Sequence, residues 1–227
     1  LQSHLLHVLS ALCCNFLSNN KILINDVICK PVNPLFSDPN ATLYQVEGIT
    51  PEDLHPVQTV SIKNKVTGKK GDVRVTFNYL GKDFCPTKPA DRSAEMKARW
   101  SIMKDWQGIV MSRNGRFLNA ITRIKKSDWD SIPKDIKTVF QNNDRYVRIG
   151  IDFDASLDED FGVEFNKQYA LPDSRVWDRI YQETNIWSEW TIAAKKYLQA
   201  TRADEEKKSS AEGANEAGLR PSEVALT

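Results

Sequence analysis

The chain has 227 residues, enough for one or two domains with a sizeable core. Its 31 Lys and Arg balance 30 Asp and Glu to a net charge of +1, so no global field drives it onto nucleic acid or anionic lipid. Hydrophobic and charged fractions of 41% and 27% are those of an ordinary globular protein, which excludes a disordered chain and a collagen-like one.

The first apolar run, "HLLHVLSALCCNFL", has no Lys or Arg ahead of it and is shorter than the roughly 20 apolar residues that span a bilayer, so neither a signal peptide nor a membrane partner is expected. Leu5, Leu9, Leu12 and Phe16 recur at helical spacing and predict an amphipathic helix over 3–17. Cys13 and Cys14 fall inside it, Cys29 and Cys85 elsewhere. No CxxC pair and no histidine (His4, His7, His55) at ligand spacing accompanies them. They read as free thiols of a reduced, intracellular protein, cytoplasmic or nuclear. Opening on Leu1 rather than Met, the sequence reads as part of a longer chain.

"KILINDVICKP" predicts a strand or tight strand pair turning at Asn25-Asp26, and "ATLYQVEG" another strand. "TPEDLHP" reads as a turn or one helical turn capped by Thr50. "VQTVSIKNK" and "DVRVTFNYL" alternate and form the clearest hairpin, joined by "VTGKKG". Lys63, Lys65, Lys69, Lys70 and Arg74 gather at its tip, a solvated face or a phosphate contact without an interleaved aromatic platform. "AEMKARWSIMKDW" predicts a helix, and "GIVMSRNGRFLNAI" two short strands around Asn114-Gly115. "SDWDSIPKDIKTVF" reads as a short capped helix and "RYVRIGIDFD" as a core strand. From Pro172 to about Ala200 one long helix is predicted, with Val176, Ile180, Trp187, Ala194 and Leu198 as its apolar stripe. Beyond Arg202 the composition predicts a fraying helix or a disordered tail.

Asp152, Asp154, Asp158, Glu159 and Asp160 crowd one connector. A calcium loop begun at Asp154 would need Gly sixth and Glu twelfth but meets Glu159 and Phe165; begun at Asp152 it meets Leu157 and Val163. Both registers fail, a looser magnesium site is the lesser reading, and no metal ligand is assigned. The acids read as solvated at the strand end, with Ser156 or Asp158 capping a short helical turn. No GxSxG, HExxH or Walker-type loop is present, so the residues alone give an α+β protein with an incomplete site.

The order of core strand, acidic connector, "FNKQ" at 165–168 and a proline-led helix is similar to the second half of the GHKL ATPases (the gyrase B, Hsp90, MutL and microrchidia types). "DEDFGVEFNKQ" is the most specific piece, and "FNKQ" resembles the Asn-Lys-Gln version of the microrchidia type. The gyrase-type order Gln-x-Lys is not reproduced. "WQGIVMSRNGRFL" and "GKKGDVRVTFNYL" resemble strands of the same half, so the resemblance covers roughly residues 1–200.

This resemblance implies an α+β fold in which 1–36 close a nucleotide-binding domain, 37–200 form a ribosomal-protein-S5-like transducer with a mixed or antiparallel sheet, and 201–227 are a tail after a long C-terminal helix. It implies Lys167 as the catalytic residue touching the γ-phosphate, with Asn166 and Gln168 beside it on the cofactor. ATP and Mg2+ would be held by an N-terminal ATPase domain ahead of Leu1, the chain's first partner. A homodimer, DNA or a client protein are the further partners, and this stretch alone would not turn over ATP. The alternative is a non-catalytic protein- or nucleic-acid-binding module using the basic 63–74 hairpin or the aromatic helix 176–198.

Overall fold

The computed structural model describes residues 2–134, 136–163 and 168–218. Helical spacing of apolar residues produces α1 (Gln2–Leu12) and, after a turn at Cys13, α2 (Cys14–Leu17). Asn25 and Asp26 adopt φ of 48° and 64°, which lets β1 (Leu23–Ile24) turn directly into β2 (Val27–Ile28). β3 (Asp53–Leu54) and β4 (Gln58–Lys63) both pair antiparallel with the long β5 (Lys70–Tyr79). The β4–β5 turn is closed by the Asn64 side-chain oxygen, which accepts from the N–H groups of Val66 at 2.9 Å and Thr67 at 2.7 Å.

Ser93 caps α3 (Ala94–Asp105), its hydroxyl accepting from the Met96 N–H at 3.3 Å. β6 (Ile109–Arg113) and β7 (Arg116–Ile121) form a hairpin whose turn residues, Asn114 and Gly115, have φ of 48° and 79°. β8 (Val147–Phe153) lies between β5, antiparallel to it, and β6, parallel to it. The sheet order is β3-β5-β8-β6-β7, with β4 also paired to β5. α4 (Ser174–Glu183), capped by Asp173, and α5 (Ile186–Gly218) complete a mixed α+β fold with a mixed sheet and a long C-terminal helix.

Period-2 alternation sends Val73, Val75, Phe77 and Tyr79 of β5, and Ile149, Ile151 and Phe153 of β8, to one face. There they meet Trp177 and Ile180 of α4 and Ile186 and Trp190 of α5 in the main core. The opposite face carries Val110 and Phe117, covered by Cys14, Leu35 and Ala41 with Leu12 and Trp106 alongside. Gly150 lies under that cover, and a Cβ there would fall 2.4 Å from a Leu35 methyl, so glycine is what lets the segment after β2 approach the sheet.

Four expectations are corrected. "ATLYQVEG" is turns, with Leu43 and Glu47 at φ of 73° and 54°; the carbonyls of Leu43, Tyr44 and Ile49 accept from Arg99 instead of from a strand. "TPEDLHP" contributes β3 because the N–H groups of Glu52 and His55 reach the carbonyls of Tyr79 and Phe77, at 3.2 and 3.1 Å. "SDWDSIPKDIKTVF" makes turns among its described residues: Asp128 accepts from the Lys125 N–H at 2.8 Å, and Trp129 is drawn fully into the core. The helix expected from Pro172 is two helices, broken where Thr184 is extended and Gln58 exchanges two hydrogen bonds with Asn185. α5 continues to Gly218 through the segment expected to fray. None of the described helices is long and apolar enough to cross a membrane.

Candidate functional site

The acidic connector is held at every acid, which corrects its reading as solvated charge. Asp152 accepts from Arg74 at 2.7 Å, from the Ser112 hydroxyl at 2.9 Å and from the Gly115 N–H at 2.8 Å. Asp154 accepts from Arg74 at 3.1 Å and from the Asp72 N–H at 2.9 Å. Asp158 and Arg113 make two parallel bonds of 2.6 and 2.8 Å, the fork geometry that suits guanidinium and carboxylate. Glu159 accepts from Asn64 at 3.0 Å, and the fully buried Asp160 pairs with Arg175 and accepts from the Lys65 N–H. These bonds, led by those to Asp152 and Asp158, raise the pKa of Arg74 and Arg113.

The short 3-10 turn at Ala155–Leu157 has no side-chain cap, so Ser156 and Asp158 do not play the capping role expected of them. Among the described residues no group of three or more His, Cys, Asp or Glu is placed to hold a metal ion. Five acids in nine residues here staple the connector to β5, β6 and the β4–β5 turn.

What that stapling presents is two fixed stretches of chain, one on each side of residues 164–167. On the outgoing side Phe161 stacks on Phe153 with centroids 3.9 Å apart, and Gly162 turns the chain at φ 53°. On the returning side the Leu171 N–H donates to the Phe161 carbonyl at 2.8 Å, and the Asp173 N–H to the Asp160 carbonyl at 2.9 Å. Asn119 of β7 exchanges two hydrogen bonds with the Ala170 backbone. Asn166 and Lys167, singled out from sequence, lie outside the described residues. Gln168 is described: it is exposed and lines a groove with Val8 and Leu12 of α1, Trp106, Arg116 and Phe117. The loop therefore returns on the side of the sheet that the N-terminal helix covers.

Both surfaces expected of a binding module are partly used within the fold. Two of the five cations at the 63–74 hairpin are engaged, Lys65 with Asp173 at 3.0 Å and Arg74 with Asp152 and Asp154. The aromatic helix turns Trp177, Trp187 and Trp190 inward, where Trp129 stacks on Trp177 and Phe140 on Trp190. Ile192 and Leu198 are its large apolar side chains left exposed.

A cleft of about 440 Å3 between α4, α5 and Lys137 is lined by hydroxyls already spent on backbone carbonyls and by a lysine paired with Asp144. Sequence reasoning missed Asn119, Arg113 and Asn64, whose partners are 45 to 95 residues away along the chain. Comparison with family models, with curated proteins and with solved structures finds no match for this chain.

Proposed function

We propose that this chain is the S5-like transducer portion of a GHKL-type ATPase, coupling the nucleotide state of a preceding domain to movement of α4 and α5. The supporting observation is the base on either side of residues 164–167: Leu171 and Asp173 bond back to Phe161 and Asp160, Ala170 is held by Asn119 of β7, and Gln168 lies beside Val8 and Leu12 of α1. In this reading α1, α2 and the β1–β2 hairpin belong to the end of the nucleotide domain. Their exposed Leu5, Phe16, Leu23, Val27 and Ile28 form the apolar surface that such a domain would cover.

In this reading the chain offers a nucleotide one contact, Lys167. The acids that could have held Mg2+ are bonded to arginine, asparagine and backbone groups, so ATP and Mg2+ fall to the preceding domain in this reading. ATP supplies the departing phosphoryl group. Lys167 supplies a compact charge on a flexible stem, suited to a terminal phosphate across a domain gap. A charge-assisted bond of that type is worth about 1.5–3 kcal/mol and exists in only one nucleotide state. That difference is what a ligand-driven conformational change requires.

The test is Lys167→Ala in the intact protein. ATP turnover is expected to fall on the order of tenfold or more while nucleotide affinity drops modestly, as for one well-placed donor to a developing charge. Turnover at the wild-type rate would refute the reading.

A further inference from the structure

The cations of the 63–74 hairpin have no aromatic side chain among them, whereas those around α3 do. Trp100 is half-buried on that helix, and the guanidinium carbons of Arg92 and Arg145 lie 3.8 and 5.0 Å from its ring centroid. Neutral groups hold both arginines there. Arg92 donates to the Pro86 and Thr87 carbonyls at 2.6 and 2.5 Å, and Arg145 to the side-chain oxygens of Gln107 and Asn142 at 3.0 and 2.7 Å. Among the described residues no carboxylate pairs with either. Arg74 and Arg113, by contrast, spend their charge on Asp152, Asp154 and Asp158.

Helical spacing adds two more cations. Lys97 and Lys104 stand three residues before Trp100 and four after it, which places all three on one face of α3. Both lysines are exposed, and Lys97 has no ion pair among the described residues. Lys104 lies 3.9 Å from Asp105, which also accepts from Ser101 at 3.3 Å and faces His7 at 3.5 Å. Beside Arg145, the side chains of Gln141, Asn142 and Asn143 line an open cleft of about 340 Å3, and an amide can both donate and accept. Four cations around one indole make a local positive surface that the net charge of +1 conceals.

We propose that this face of α3 binds single-stranded nucleic acid, with backbone phosphates on Lys97 and Lys104 and bases stacked on Trp100 and the guanidinium of Arg145. Cations and an aromatic ring side by side suit a strand whose phosphates and unstacked bases are both accessible. A duplex keeps its bases stacked inside, and an acidic peptide would use the charges and leave the ring idle. This inference does not depend on the ATPase reading.

The test titrates a fluorescent oligodeoxythymidine of about 12 nucleotides, within the usual site sizes, with the intact protein at two salt concentrations and follows anisotropy. Trp100→Ala is expected to weaken binding on the order of tenfold, the loss of one stacked base, with the salt dependence unchanged. The double variant Lys97→Ala, Lys104→Ala should flatten the slope of log affinity against log salt by about 1.4, at about 0.7 per phosphate contact on a single strand. Its two lysines are exposed, so it keeps the test decisive if urea unfolding shows that Trp100→Ala does not fold. Lys69→Ala, Lys70→Ala removes the same charge from the hairpin and should bind as wild type. No binding of the oligonucleotide, an unchanged salt slope in the Lys97, Lys104 variant, or an equal loss from the hairpin variant overturns the inference. So does competition by polyglutamate or by duplex DNA as effective as that by the unlabelled single strand.

Discussion

On one side of the sheet β8 buries Ile149, Ile151 and Phe153; on the other it buries Arg148 and sets Asp152 against Arg74 and Ser112. The first side is closed mainly by apolar packing, with hydrogen bonds at its margin such as those between Gln58 and Asn185. The second is closed by a layer, α1, α2, the end of α3 and the segment 31–50, that adds buried hydrogen bonds to a smaller apolar cluster, such as Asn78 to the Leu35 carbonyl and Arg148 to the Trp106 carbonyl. Apolar packing tolerates small displacements. A hydrogen-bonded seam either holds or opens, because a buried donor or acceptor left without a partner costs about 1–3 kcal/mol.

Two fully buried arginines, Arg99 in that layer and Arg148 on the strand beneath it, mark the extremes. Arg99 of α3 donates to four carbonyls, those of Leu43, Tyr44, Ile49 and Phe84, and stacks over the Phe84 ring. Arg148 donates to one, and its Nε and second terminal nitrogen have no partner among the described residues. Burial lowers the pKa of both guanidinium groups, to about 10 for Arg99 and about 9 for Arg148.

The largest effect is therefore expected from Arg99→Met. It strands the Leu43, Tyr44 and Phe84 carbonyls at once, the Ile49 carbonyl keeping the Val46 N–H, and should lower stability by about 3 kcal/mol or more, measured by urea unfolding. A loss under about 1 kcal/mol would mean that the turns at 43–49 do not depend on this residue.

Arg148→Met should do far less. Removing a buried charge that has one partner relieves a desolvation cost, and such replacements are often neutral or stabilising by about 1–4 kcal/mol. Met fills similar volume beside Phe36. If Arg148→Met destabilised the protein as much as Arg99→Met, the contrast between the two arginines would collapse.

The same contrast explains what could be read from the sequence. β4, β5 and the two hairpins at Asn25-Asp26 and Asn114-Gly115 were legible because alternation and positive-φ residues are local signals. The covering layer was not, because Arg148, Asp152 and Asn78 alternate with apolar residues just as a solvent-facing strand side does. The misread segments share one cause: distant partners overruled local propensity, Arg99 at 43–49, the core around Trp129 at 127–140, and Gln58 at Asn185. For the site, the crowding of acids was plain but their partners were not. Lys167 and Asn166 rest on the resemblance, Gln168 gains a position beside α1, and the only sequence hint of Asn119 is an asparagine inside a strand, where asparagine is disfavoured.

Cys14 offers the finest probe of whether the hydrogen-bonded side is closed to solvent. Its thiol is buried in the cover with Leu35, Val110 and Phe117, and that burial raises its pKa to about 12. At neutral pH the folded and unfolded states both keep the proton, so the full stabilisation is present. As pH rises past the ordinary thiol value of about 8.5, the unfolded chain ionises and the folded one does not, so this contribution is lost progressively up to about 12. Cys14→Ala removes that titration and leaves the raised Tyr79 and Cys29 in place. The stability gap between wild type and Cys14→Ala, measured by urea unfolding under reductant, should therefore narrow between pH 7.5 and pH 10. Parallel stabilities over that range, or alkylation of Cys14 at the rate of an unfolded thiol, would show water reaching the sheet beneath α2 and would make the two sides alike.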